Sequence, residues 1–160
     1  MDLTPKRATD SATEMVQVVL PNDANPLGFI LGGTVMHLID IAGAIACHRH
    51  TRTLLVTAAV DDLQFLHSIK VGDLIILKAR VTCAFTTSLE VQVDVFSEET
   101  LTGERQMTST AFLTFVAIDR AGAKVRVPPL VMESDEDRRV CDEAHRRREI
   151  RLNKRRKYGV

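Results

Sequence analysis

The alternation of apolar and polar residues is most regular in residues 88–97. Every second position there is apolar and the positions between are polar or charged, as in Leu89, Glu90, Val91, Gln92, Val93, Asp94 and Val95. A period of two places the apolar side chains on one face of a β-strand. Similar but less regular runs predict further strands at 12–21, 54–66, 73–85 and 106–118. The run at 54–66 is mostly apolar, which indicates a central strand.

Residues 34–50 follow a different pattern, without proline and with apolar residues on nearly every face of a helix. A helix of this kind is buried. The order of one strand, one long helix and four strands joined by short turns lacks the repeated crossover helices of a doubly wound fold. It predicts an α+β fold in which an antiparallel sheet wraps around one buried helix. We divide the chain into a flexible N-terminus (1–11), a single domain (12–130) and a charged helical tail (131–160).

Composition and charge narrow the functional classes. The chain has 160 residues, of which 45% are hydrophobic and 26% charged, and its formal net charge is zero. No overall field therefore attracts nucleic acid or an anionic membrane. No apolar segment reaches the roughly 20 residues that span a bilayer, and no secretory signal precedes residue 15. With three cysteines far apart in the sequence, we expect a cytoplasmic protein with reduced, free thiols.

One carboxylate, Asp40, interrupts the apolar helix, where burial of a charge is costly. Gly43 and Ala44 share its helical face and are small, so space for a slim ligand is expected beside it. Gly32 and Gly33 at the helix start let a ligand approach backbone N–H groups, which favour a developing negative charge. A carboxylate base next to an oxyanion site is the pair that acyl transfer to water requires. The alternative is a carboxylate satisfied by hydrogen bonds at a subunit contact.

Three segments carry a resemblance to a known family: "DANPLGFILGGTVMHLIDIAGAIA", "VTAAVDDLQFLHSIKVGDLI" and "TSTAFLTFVAID". They resemble the hotdog-fold acyl-CoA thioesterases of the bacterial short-chain hydrolase and mammalian brain acyl-CoA hydrolase type. The combination of Asn-x-x-Gly-x-x-x-Gly-Gly, a following Asp and a Val-Gly-Asp turn is fairly specific, and the resemblance covers residues 12–130. It implies a five-stranded antiparallel sheet around one helix, and acyl-CoA hydrolysis in fatty acid metabolism. It also implies homodimers that associate as trimers of dimers into homohexamers.

The resemblance implies roles for individual residues. Asp40 matches the family carboxylate, which acts as a general base or as a nucleophile that forms an anhydride, and both routes stay open. Asn25 matches an asparagine that assists from across a dimer interface. Gly32 and Gly33 match the backbone donors to the thioester carbonyl. Pro26, which stiffens the loop after Asn25, departs from the family pattern.

For the coenzyme A portion of the substrate we expect contacts along the strand after the helix and at the turn before residues 88–97. The expected residues are Val56, Thr57, Ala58, Val60 and Ser88. Coenzyme A is then part of the substrate and a product, so no separate cofactor and no metal are expected. Neither nucleic acid nor a membrane is an expected partner. The basic segment 146–157 has four open roles: a solvated surface, contacts with acidic residues of another subunit, binding of the coenzyme A phosphates, or binding of nucleic acid or an acidic partner. Base recognition has little support, because Tyr158 is the one aromatic residue near these basic side chains.

Cysteine and zinc chemistry are the first rivals to this prediction. Cys47 is next to His48, but adjacent helical side chains point about 100° apart, so we interpret Cys47 as a core residue. A zinc site on Cys47 and His50 would need a second pair of ligands at usable spacing. The remaining candidates are isolated in the sequence: Cys83, Cys141 and His67.

His37 stands one turn before Asp40 and raises a second enzyme class, the hotdog hydratases and dehydratases, which pair a histidine with a carboxylate. These enzymes take their histidine mostly from outside this helical position, and residues 22–31 contain none.

A non-catalytic hotdog sensor that binds acyl-CoA is the third possibility. The short polar stretch before the first strand is too small for the DNA-binding segment of such regulators. Hydrolysis is therefore the favoured prediction.

Overall fold

A long helix packs on one face of a five-stranded sheet, and a second helix packs on the opposite face. The computed structural model describes residues 3–158. Its strands are β1 (Lys6–Arg7), β2 (Thr13–Val18), β3 (Leu54–Phe65), β4 (Leu74–Ala84), β5 (Ser88–Glu98), β6 (Arg105–Ile118) and β7 (Leu130–Val131), and its α-helices are α1 (Gly32–Thr51) and α2 (Asp135–Tyr158). The α+β fold with a C-terminal helix, predicted from the sequence, is confirmed. We call the face of the sheet against α1 the inner face and the other the outer face.

The main sheet joins its strands in the order β2-β4-β5-β6-β3, with every neighbouring pair antiparallel. The prediction of a central strand at 54–66 is wrong, because β3 lies at the edge and pairs with β6 alone among the described strands. Its apolar run instead supplies exposed side chains. Those of Leu54, Val56, Val60 and Phe65 are 50%, 45%, 44% and 51% exposed. An unpaired edge of this kind is a surface that another chain can cover.

The core lies between α1 and the inner face. Alternation along β5 turns its apolar residues toward α1, and they join the core cluster with residues of the helix: Leu38, Ile39, Ala42, Leu89, Val91 and Val93. Gly43 faces the sheet closely, since a Cβ there would lie 3.1 Å from side-chain atoms of Phe115 and Val91. The space expected at Gly43 beside Asp40 is therefore filled by the sheet. The helix is also not buried all round, because Met36 is 46% exposed.

Helix α2 is attached to the outer face by ion pairs with three strands. In order along the helix, it pairs Asp137 with Arg80 of β4, Arg147 with Glu90 of β5, and Arg151 with Asp61 of β3. The Glu90 side chain is 1% exposed, and the Arg147 guanidinium lies 3.7 Å from the ring centroid of Phe112 on β6. The predicted charged tail is thus a helix docked across the sheet.

The N-terminal segment is more ordered than the sequence suggested. Strand β1 pairs in parallel with β7, and both Ala8 and Ser11 are buried. The Arg49 guanidinium of α1 donates to the carbonyl of Ala12 and the hydroxyl of Thr13, each at 3.0 Å. These contacts hold residues 6–11, part of the segment 1–11 that was expected to be flexible, against the domain that begins at residue 12.

Two of the three cysteines form a disulfide. Cys83 of β4 and Cys141 of α2 are bonded across 58 residues of sequence, so the expectation of free thiols is wrong for this pair. The two cysteines are far apart in the sequence, and they meet only because α2 docks on the outer face. Cys47 is free and fully buried in the core. Within residues 3–158, neither helix combines the length and apolar character needed to cross a membrane.

Candidate active site

Asp40 lies in the third turn of α1 and is half-buried in the single chain. The Thr57 hydroxyl of β3 donates a hydrogen bond of 2.7 Å to Asp40 Oδ1. The ladder between β3 and β6 shifts register between Thr57 and Ala59, so Ala58 is the extra residue of a β-bulge, a device that re-aims neighbouring side chains. One carboxylate oxygen is therefore held by Thr57 while the other is available for chemistry.

The start of α1 offers backbone donors that no side chain caps. Leu31 is the N-cap residue and makes no side-chain hydrogen bond to the helix, so the first N–H groups are available to a ligand. A Cβ at Gly33 would meet nothing within 4 Å, and one at Gly32 would lie 3.4 Å from the Phe65 ring. The glycines thus leave open space in front of donors at the positive end of the helix dipole.

The helix start and Asp40 of one chain are too far apart to act on the same carbonyl. Seven residues separate Gly33 from Asp40, which is about 10 Å along a helix that rises 1.5 Å per residue. A reacting carbonyl needs its base and its oxyanion donors each about 3 Å away. Within a single chain, the two predicted parts of the site do not meet.

Asn25 organises its own loop. Its Oδ1 accepts hydrogen bonds from the backbone N–H groups of Leu27 and Phe29, at 3.0 and 3.2 Å. Its own N–H donates to the carbonyl of Phe29 at 2.8 Å. Gly28 at the loop tip has φ +82°, a conformation that favours glycine. The side-chain amide of Asn25 has no hydrogen-bond partner among residues 3–158, so it can donate to a ligand or to another chain.

The structure separates the residues predicted to contact coenzyme A. Val56 and Val60 lie exposed along the free edge of β3, and Ala58 lies in the bulge between them. Thr57, from the same prediction, is instead bonded to Asp40. Ser88 alternates with the buried Leu89 and so faces the outer side of the sheet. Ser88 is therefore not brought to Asp40.

Comparisons with known proteins agree on one family. The Thioesterase superfamily model matches residues 27–104. The uncharacterized acyl-CoA thioester hydrolase YkhA of Bacillus subtilis is 40% identical over 138 residues, which are 86% of this chain and 80% of that protein. This chain belongs to the hotdog-fold acyl-CoA thioesterases. The human cytosolic acyl coenzyme A thioester hydrolase is 30% identical over 141 residues, and the chain spans 37% of its length.

Solved structures of acyl-CoA hydrolases share the fold almost end to end. An apo-hexameric acyl-CoA thioesterase matches with a TM-score of 0.89 and 38% identity, over 94% of this chain and 97% of that chain. A Staphylococcus aureus acyl-CoA hydrolase, solved with butyryl coenzyme A, coenzyme A and coenzyme A disulfide, matches with a TM-score of 0.87 and 32% identity, over 96% and 94%. The same hydrolase has been solved as alanine variants of an aspartate, an asparagine and a threonine.

Cys47 and the histidines of this thioesterase are not arranged for nucleophilic catalysis. Cys47 is enclosed in the core, and burial raises the pKa of its thiol, so the prediction of a core residue is confirmed. Nδ1 of His48 lies 2.9 Å from the carbonyl of Thr53. Nε2 of the buried His50 lies 3.0 Å from the carbonyl of Pro128, and burial lowers the pKa of this imidazole.

A disulfide and an imidazole lie together on the outer face, far in sequence from the helix carboxylate. Possible ligand atoms of Cys83, Cys141 and His145 lie within 4.8 Å of one another. Cys83 is far in the sequence from Cys141 and His145, and only the docking of α2 brings the three together. The expectation that the thioesterase uses no metal stays a prediction.

The basic segment of α2 is only partly available to a ligand. Arg147 and Arg151 are each 15% exposed and pair with Glu90 and Asp61, at 2.8 and 2.6 Å. Two of the arginines considered for phosphate binding therefore hold the helix to the sheet. The arginines at 146 and 148 are exposed, so a phosphate-binding role for this part of α2 would fall on them.

Proposed function

We propose that this chain hydrolyses acyl-CoA thioesters to a free carboxylic acid and coenzyme A, with Asp40 as the reacting carboxylate. The observation that carries the proposal is the Asp40–Thr57 hydrogen bond of 2.7 Å, which fixes the one carboxylate of α1. Such a bond orients one oxygen and leaves the other free, which is the geometry a base or nucleophile needs.

Two routes are consistent with this arrangement. As a general base, Asp40 Oδ2 takes a proton from water while the water oxygen attacks the thioester carbon. As a nucleophile, Oδ2 attacks that carbon itself, the C–S bond breaks, and water then hydrolyses the resulting anhydride. In both, coenzyme A leaves as a thiolate that takes up a proton. The hydroxyl of Thr57 holds the carboxylate in position throughout.

The spacing of three residues supports these roles. In the S. aureus hydrolase, the asparagine chosen for replacement precedes the aspartate by 15 residues, and the threonine follows the aspartate by 17. Asn25, Asp40 and Thr57 stand at the same separations. We assign Asn25 to the orientation of water or the thioester, using the side-chain amide that its own loop leaves free.

We further propose that two chains build each site. Because about 10 Å separates the helix start from Asp40 in one chain, Asp40 of one subunit is completed by Asn25, Gly32 and Gly33 of the partner subunit. The exposed apolar edge of β3 gives such a dimer a surface to bury. Two solved relatives are hexameric acyl-CoA thioesterases, which supports a trimer of dimers.

The substrate then lies along the dimer contact. We place the pantetheine arm beside Val56, Ala58 and Val60, and the phosphates near basic side chains, with coenzyme A entering as substrate and leaving as product. Ser88 is not retained, because it faces the outer side of the sheet. The human relative named as cytosolic supports a cytoplasmic location.

A thiol-release assay over acyl-CoAs from acetyl to stearoyl tests the proposal. We expect turnover with at least one chain length, detected as free coenzyme A, and an equal yield of carboxylic acid by mass spectrometry. Tight binding with no release at any length would identify an acyl-CoA sensor instead. Consumption of an enoyl-CoA with the thioester intact would identify a hydratase.

A further inference from the structure

Helix α2 contacts the strands of the outer face one after another. Its first half meets β4, its middle meets β5 and β6, and Arg151 near its end meets Asp61 of β3. The buried residues of this 24-residue helix are Asp137, Cys141 and Ala144. A helix with so few buried apolar contacts opens locally at low cost. Its attachment therefore depends on a small number of specific contacts.

A β-bulge brings Cys83 into this contact. Val81 faces inward and joins the core, and in a regular strand Cys83, two residues later, would also face inward. The register shifts between Val81 and Cys83, so that Cys83 pairs with Glu90, whose side chain lies on the outer face. The bulge thus turns the thiol away from the core and toward α2.

Cys141 meets Cys83 with backbone geometry that suits a disulfide. The two Cα atoms are 4.8 Å apart, within the usual range of about 4.4–6.8 Å. Cys141 is 7% exposed and Cys83 is 1% exposed, so an outside reagent reaches Cys141 first. His145 follows one turn later, with a ring nitrogen within 4.8 Å of both sulfurs. The imidazole is thus close enough to interact with either sulfur, and the thiolate is the reactive form of a cysteine in disulfide exchange.

We propose that Cys83 and Cys141 are a reversible redox site, at which a small-molecule disulfide oxidises the thiol pair and the new bond fastens α2 to the sheet. The site is independent of the reaction at Asp40. Its reduced form leaves α2 held by ion pairs and a few side-chain contacts, and its oxidised form adds a covalent link to β4.

The chemistry is two successive thiol–disulfide exchanges. The Cys141 thiolate attacks one sulfur of glutathione disulfide, whose S–S bond breaks, and one glutathione leaves as a thiolate and takes up a proton. The Cys83 thiolate then attacks the Cys141 sulfur of the mixed disulfide and displaces the second glutathione. The protein loses two electrons and two protons, and the oxidant becomes two glutathione thiols.

Thiol labelling of the full chain in glutathione buffers tests the proposal. After quenching and denaturation, we expect three labelled cysteines in reducing buffer and one in oxidising buffer, with full reversal on return. The Cys47→Ala variant is a matched control. Its Cys83–Cys141 pair should become oxidised at the same glutathione ratio as in wild type, with one labelled cysteine fewer in each buffer. Cys83→Ser should accumulate the mixed disulfide with glutathione, and Cys141→Ser should not.

Hydrogen exchange of backbone amides measures how firmly α2 is attached. It is compared between the reduced and oxidised forms of folded wild-type protein. Backbone amides of residues 141–151 should exchange about tenfold faster or more in the reduced form, because α2 opens more often. The proposal is overturned if three cysteines are labelled at every glutathione ratio, or if exchange in α2 is equal in both forms. It is also overturned if the reduced chain binds one Zn²⁺ through Cys83 and resists oxidation, which would identify a metal site.

Discussion

Replacement of Thr57 by valine removes the hydrogen bond to Asp40 while conserving the shape of the side chain. A hydrogen bond to a charged group contributes about 1.5–3 kcal/mol. Both residues are partly exposed in the single chain, and solvent screening favours the lower end of that range. A loss of about 1.4 kcal/mol corresponds to a tenfold fall in rate. A partner subunit that covers the β3 edge would move the effect toward a hundredfold.

The assay is steady-state release of coenzyme A by Thr57→Val and by Thr57→Ser, which keeps the hydroxyl. We expect kcat to fall about tenfold to a hundredfold for the valine variant and less than threefold for the serine variant. Because Thr57 acts through Asp40, KM should change little. Equal kcat values for wild type and the valine variant would refute a role for this bond. A change in KM alone would place Thr57 in substrate binding, as the sequence first suggested.

Three further predictions concern assembly, stability and pH. Mixing inactive Asp40→Asn subunits with inactive Asn25→Ala subunits should recover about a quarter of wild-type activity, because half of the dimers are then mixed and each has one intact site of two. Arg147→Met leaves the buried Glu90 carboxylate unpaired, which costs about 3–5 kcal/mol and should lower Tm by about 10 °C, measured by scanning calorimetry. Burial lowers the pKa of His50 below its ordinary 6.5, so the unfolded chain binds a proton first. The free energy of unfolding is therefore unaffected by His50 above pH 6.5 and decreases as the pH falls below that value. His50→Gln should make the decrease in Tm between pH 7.5 and about 5.5 smaller.

The first two of these tests have controls within the chain. Recovery must be absent in either variant alone, and no recovery after proven subunit exchange would mean that each site is built within one chain. Arg146 is the exposed neighbour of Arg147 on α2, and Arg146→Met should shift Tm by less than about 2 °C. An equal loss in both arginine variants would contradict a specific role for the Glu90 pair. An unchanged pH dependence in His50→Gln would show that other groups control acid stability.

The hydrophobic periodicity of the sequence predicted individual strands and helices reliably. The alternation at 88–97 became β5, Ser88–Glu98, and the continuous apolar stretch around Asp40 became α1. Both signals are local, because side chains repeat every two residues in a strand and every 3.6 in a helix. The order of elements then restricted the fold to one sheet and one buried helix.

Contacts between elements that are distant in the sequence could not be predicted from local periodicity. The bulge before Cys83 changes which face the thiol occupies, and no local pattern at that position reveals it. Thr57 was expected to contact coenzyme A, and only the packing of β3 on α1 placed its hydroxyl beside Asp40. The apolar run of β3 was ambiguous by nature, since a central strand and an edge awaiting a partner have the same sequence pattern.

The measurement that tests the central claim most directly is coenzyme A release by Asp40→Asn, with wild type and His37→Gln as references. His37 is exposed on the same helix, so its variant controls for disturbance of α1 and should act within about twofold of wild type. We predict that Asp40→Asn folds, binds coenzyme A as wild type does, and loses at least about a hundredfold in kcat. A folded Asp40→Asn protein with wild-type kcat would contradict the assignment of Asp40 as the reacting carboxylate.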